Sequence, residues 1–123
     1  HESPFERQVL RKLALDVPVY AEALNAMAGR AVDLMIPFAK GWVVDQKMNG
    51  KHSLKMVLPA LFPKLSYDNL EIGDGGLAMN QFILLNKESK KVQKEIRENL
   101  SLYCSRDTEA LVKIYQYLVS LVK

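Results

Sequence analysis

The chain is poor in the residues that usually carry the chemistry of a small protein. Its 123 residues include one cysteine, Cys104, so no internal disulfide can form. The local sequence gives that thiol no histidine to activate it. His1 and His52 are the only histidines, and nothing is spaced like a zinc motif. No Gly-x-Ser-x-Gly elbow is present, which removes that route to a serine triad. Asp74-Gly75-Gly76 is followed by neither a third glycine nor a lysine–serine pair, so it is neither a dinucleotide fingerprint nor a phosphate loop. No apolar run approaches a membrane span, and the polar start has no secretory leader pattern. One charge sign does not dominate: the formal net charge is +3, with bases and acids interleaved. That permits a polyanionic partner without demanding one, and no basic–aromatic platform is marked. Repeats and low-complexity tracts are absent as well. With one thiol and no leader, a cytoplasmic setting is the expectation. A chain beginning at His1 reads as a fragment of a larger protein.

What is present suits a folded core. Hydrophobic residues make up 49% and charged residues 25%, which argues against disorder. One domain over 1–123 is expected. Apolar spacing predicts a helix over 4–14, with Ser3 as N-cap, Pro4 at the first helical position and Glu6 completing a capping box. A second helix is expected over 19–28, with Gly29 as C-cap. Residues 31–36 read as a short buried strand and 42–44 as a second. Ser53 is a cap for a helix over 54–61 that Pro59 breaks or kinks. A single turn follows at 67–70, then a helix over 76–86. Residues 87–104 carry Val92, Ile96, Leu100 and Tyr103 at helical spacing opposite a charged face. A last helix is expected over 107–122, so that 103–108 joins two helices.

Four side chains are candidates for chemistry: Asp107, Tyr103, Glu6 and Asp33, with Asp74 a weaker fifth. Tyr103 and Asp107 are four apart, which places phenol and carboxylate on one helical face. A carboxylate can hold a hard cation and a phenol can position a water. Each also has a plain structural reading: Glu6 completes a cap, Asp33 bonds to nearby backbone, Tyr103 is core and Asp107 a cap. Oxygen donors of this kind favour Mg2+ or Mn2+.

The order of Phe5-Glu6, then Asp33, then Tyr103-Cys104-Ser105-Arg106-Asp107-Thr108 resembles the later part of a DEDD-type 3′–5′ exonuclease. There the second motif ends in Phe-Asp and the third can be Tyr-x-x-x-Asp. The whole chain is similar to a bacterial family of uncharacterised, predicted RNase H-like nuclease domains. The likeness lies in Ser-Pro-Phe-Glu-Arg (3–7), Arg-Ala-Val-Asp-Leu (30–34), the 53–63 and 65–76 segments, and 103–108. It implies an α/β RNase H-like fold, here as a mostly helical C-terminal part of a larger domain with one or two short strands. It also implies a two-metal site in the parent, acting on DNA or RNA. Asp107 and Glu6 would be metal ligands, Tyr103 would orient the water, and Asp33 would support the ligands. Two departures stand out: the first motif, Asp-x-Glu, is absent, and Glu6 stands where an aspartate is usual. The fragment alone is therefore expected to be inactive. A non-catalytic interaction or regulatory domain is the alternative, and a homodimer through an exposed sheet edge is a further expectation.

Overall fold

The computed structural model describes residues 4–123. Ser3, and with it the capping box proposed for Glu6, lies outside the described residues. Six helices follow in order: α1 (Pro4–Asp16), α2 (Ala21–Arg30), the single turn α3 (Ile36–Ala39), α4 (Leu54–Leu61), α5 (Gly75–Leu84) and α6 (Lys90–Leu121). Short 3-10 turns at Pro18–Tyr20, Gln46–Met48 and Leu85–Lys87 connect them. No strand occurs among the described residues. The expected α/β RNase H-like fold is thereby overturned, and the sheet edge invoked for a homodimer goes with it.

α1 and α2 form a hairpin that packs on itself and on the turn between its helices. Ala14 and Ala28 are buried, and side chains this small let the two backbones approach closely. The Arg7 guanidinium donates to the Ala31 carbonyl at 2.7 Å. This satisfies a carbonyl left without a helical partner at the end of α2. α2 runs through Gly29 to Arg30, so the C-cap is Ala31 and not the glycine.

The first expected strand is a turn leading into α3. Asp33 accepts the Met35 N–H at 2.9 Å through its carboxylate, and its carbonyl accepts the Ile36 N–H. This aspartate turn competes with extended backbone, and Pro37 follows in the first turn of α3, where its fixed φ fits. The second expected strand, 42–44, is also a loop. Trp42 and Val43 donate backbone N–H groups to the Pro37 carbonyl, folding the chain back on α3. In both places a short apolar run did not distinguish a strand from a loop pressed on a core.

The core lies between α4, α6 and this loop region. One cluster joins Phe38, Met48, Val57, Ala60 and Ile114, flanked by Leu34, Leu54 and Leu118. A second joins Leu58, Tyr67 and Ala110, flanked by Leu65, Leu70 and Tyr103. α4 therefore faces α6 with both sides of its apolar stripe, and it runs through Pro59 to Leu61.

The largest departure from the expected helices is in α6. Its 32 residues form one helix, about 48 Å long at 1.5 Å per residue, with no break at 104–107. Ser105, Asp107 and Thr108 have the chemistry of helix caps, but no glycine or proline lies between Lys90 and Leu121 to stop the helix. Thr108 satisfies its hydroxyl internally, donating to the Cys104 carbonyl at 2.9 Å. Ser89 occupies the true N-cap and accepts the Val92 N–H.

Candidate functional site

α6 presents Ile96, Tyr103, Asp107, Ala110 and Ile114 along one stripe, so Asp107 is the polar member of an otherwise apolar seam. The turn after α4 carries Tyr67 to the same place, closed by the Leu70 N–H on the Tyr67 carbonyl. The buried Tyr67 donates its phenol O–H to Asp107 Oδ1 at 2.5 Å. Its ring lies 6.0 Å from that of Tyr103, tilted by 54°.

Other groups hold this arrangement. Arg106 donates from Nη1 to the Ser66 carbonyl, just before Tyr67, and its Nε faces Glu109 at 3.7 Å. Lys55 of α4 stands over the Tyr67 ring, 6.0 Å from its centre. Asp74 N-caps α5 by accepting the Leu77 N–H at 2.8 Å. The Tyr103 hydroxyl reaches the start of α5, 3.6 Å from where a Cβ on Gly75 would sit.

Both phenols are held protonated. Burial is the first cause for Tyr67, which is pushed far above the ordinary tyrosine range; the hydrogen bond to Asp107 and its charge add to this, while Arg106 pulls the other way. Tyr103 is raised by burial first, then by Asp107, with a smaller contribution from Asp74. Neither ring can serve as a phenolate base near neutrality. Their chemistry here is to donate to, or crowd against, a carboxylate.

Of the residues picked from sequence, the structure brings Tyr103 and Asp107 together, with Asp74 close enough to act on Tyr103 electrostatically. Glu6 is on the exposed side of α1, in a hairpin that, among the described residues, does not pack on α6. Asp33 bonds to its own turn. Among the described residues, no three His, Cys, Asp or Glu side chains are grouped to hold a metal ion.

Sequence reading missed Tyr67. It was legible only as part of a turn, and nothing local links it to a carboxylate 40 residues later. A polar cleft of about 300 Å³ opens beside it, lined by Lys55, Ser66, Tyr67, Asp68, Gly73 and Asp74. No helix among the described residues is long and apolar enough to cross a membrane; α6 has the length but is too highly charged.

Comparison with known proteins adds likeness to uncharacterised proteins. A family model described as a domain of unknown function (DUF2779) matches residues 1–53. That segment contains Glu6 and Asp33 and ends before α4, leaving Tyr67, Tyr103 and Asp107 outside. The uncharacterized protein MG366 of Mycoplasma genitalium is 27% identical over 132 residues, covering 97% of this chain and 20% of that protein. The chain thus spans about a fifth of the length of this curated relative. No solved structure matches. Neither likeness carries an RNase H-like relationship.

Proposed function

We propose that this chain is a non-catalytic interaction or regulatory segment of a larger protein, in which Asp107 has a structural task. The Tyr67–Asp107 hydrogen bond carries this reading. A catalytic carboxylate must offer its oxygens to a metal or to substrate. Asp107 instead lies in the interior of a continuous helix, in an apolar seam, with one oxygen taken by a buried phenol. Such a group satisfies its own polarity while fixing how the turn after α4 meets α6. The short span relative to the Mycoplasma protein is in keeping with a segment that works within a longer chain.

The second reading is part of a metal-dependent 3′–5′ exonuclease acting on nucleic acid with Mg2+ or Mn2+. One observation favours it: Tyr103 and Asp107 do lie one turn apart on one face of α6. The donor set does not fit such an ion, however. Mg2+ asks for a near-octahedral set of oxygens and usually keeps one or two carboxylates plus waters. Here Asp107 is engaged by Tyr67, Asp33 bonds to its own turn, and Glu6 stands on the exposed side of α1. No catalytic step is derived from these residues.

The chain alone is expected to be inactive on either reading, so the two are separated by incubating the longer parent protein with single-stranded DNA and RNA in Mg2+ or Mn2+. Intact substrate, with no difference between wild type and Asp107→Ala, is the expected result. Cleavage by the wild type that Asp107→Ala abolishes would overturn the interaction reading.

A further inference from the structure

α5 is unusual in composition and in placement. Its ten residues carry no charge, yet none of them is buried. Met79, Phe82 and Ile83 are each more than half exposed. Beside it, between α5 and α6, runs an open groove of about 520 Å³ lined by Phe82, Leu85, Arg97, Leu100, Ser101 and Cys104. Phe82 forms one wall and Leu85 and Leu100 belong to the apolar floor. Ser101 and Cys104 are small, so a second backbone could come close to α6 here.

The charges around α5 are sorted by side. Helical spacing puts Lys90, Lys94 and Arg97 on the same face of α6 as Ser101 and Cys104. No carboxylate of residues 90–104 shares that face; the nearest, Glu98, flanks it and meets Lys94 at 3.8 Å across a highly exposed pair. The cleft on the other side of α5 is lined by Glu71, Glu88 and Glu95 and by no base. The apolar groove therefore carries one base, Arg97, in its lining, with Lys94 and Lys90 continuing along the same face of α6, and the three acids of the cleft lie across the helix from it.

We infer that this groove is a docking site for an amphipathic helix of another polypeptide, one with an apolar stripe and carboxylates along the edge that meets Arg97, Lys94 and Lys90. Apolar anchors at i, i+3 or i+4, and i+7 fit a groove formed by two helices, and the acids on the flank set its direction. The gap between α5 and α6 at the small Ser101 and Cys104 takes a helix, whereas a flat bilayer would meet only the projecting Met79, Phe82 and Ile83 side chains of α5. The inference rests on the interaction-segment reading and gives it a site and a partner chemistry.

The experiment selects binders to the whole chain from a displayed library of helical peptides of about 18 residues, long enough for the three to four turns such a groove engages. Selected peptides are expected to combine the apolar spacing with net negative charge and to shift the backbone resonances of Phe82, Leu100, Ser101 and Cys104. Arg97→Glu and Phe82→Asp are each expected to weaken binding by about tenfold or more, the scale of a lost anchor or reversed charge at an interface. A peptide with lysine in place of the one acid that meets position 97 should recover binding to Arg97→Glu. Both positions are exposed, and circular dichroism checks that the variants stay folded. The inference is overturned if selection yields no acidic bias or no binder, or if Arg97→Glu leaves binding unchanged. Phe82-dependent pelleting with phosphatidylserine-containing vesicles in the absence of peptide binding would assign the face to a lipid surface instead. Phe82-dependent self-association in light scattering would assign it to a second copy. Asp107-dependent nuclease activity would sink the interaction reading while leaving this binding result to stand or fall by itself.

Discussion

α4 and α5 are two short apolar helices set along one long one, and they end in opposite conditions. α4 buries Val57, Leu58 and Ala60; α5 buries nothing. The difference is in how their apolar residues are distributed. In α4, Leu54, Val57, Leu58 and Leu61 fall on one stripe, and α6 together with Phe38 and Met48 covers it. In α5, Leu77, Met79, Phe82, Ile83 and Leu84 spread around the axis, so one neighbouring helix can cover only part of them. A helix apolar on all sides belongs in surroundings that cover it on several sides. Apolar content alone therefore says little about burial, whereas the phase of the apolar residues says which helix is satisfied.

The sharpest way to break this comparison is to truncate one side chain in each helix. Leu58→Ala, at a position with no exposure, should cost about 2–5 kcal/mol through lost burial and the cavity left behind. Phe82→Ala should stay within about 0.5 kcal/mol, as surface changes usually do. Denaturant unfolding of both variants gives the ratio, and equal losses would mean that α5 is as well packed as α4.

A smaller effect is expected at the polar point where the turn after α4 meets α6. Asp107→Ala leaves the buried Tyr67 hydroxyl without its acceptor and should cost about 1–3 kcal/mol. Adding Tyr67→Phe to it should recover part of the loss, because the stranded hydroxyl is then gone. A double-mutant cycle measures this coupling, and strictly additive losses would refute it.

The smallest effect is a pH dependence. Both phenols have folded pKa values above the unfolded value, so folding favours their protonated forms. The stability this gives is fully present below the unfolded phenol value of about 10 and is lost as pH rises from there toward the folded values. Unfolding midpoints should therefore fall on the alkaline side, and Tyr67→Phe should flatten that fall. An unchanged slope in the variant would show that other groups set it.

Individual helices could be read from residues alone, but the fold class could not. The spacing of Leu54, Val57, Leu58 and Leu61 marked α4, although Ser53 stands at its N-cap position without a side-chain capping bond and the helix continues past the break expected at Pro59; Pro4 with Val9, Leu10 and Leu13 marked α1. The strands failed because 31–36 and 42–44 are short, and the aspartate turn at Asp33 with Pro37 behind it decides their backbone. The division of α6 failed because Ser105, Asp107 and Thr108 are good caps in isolation, while uninterrupted helix formers on both sides carry the helix through them. At the candidate site, the Tyr103–Asp107 pair followed from spacing, but the partner that defines its role did not. Tyr67 arrives from another part of the chain, and only tertiary structure makes that contact.

The lone carboxylate in the seam of α6 also works as a register pin. Sliding the α4 turn along α6 by one helical turn would set the Tyr67 hydroxyl against Tyr103 or Leu111 and leave Asp107 facing apolar side chains. Leucine, valine and alanine contacts tolerate such a slip at modest cost, whereas a part-buried hydrogen-bonded pair does not. The position of α4 along the rod is thus a single discrete setting, which gives whatever binds along α5 a fixed frame on the same helix.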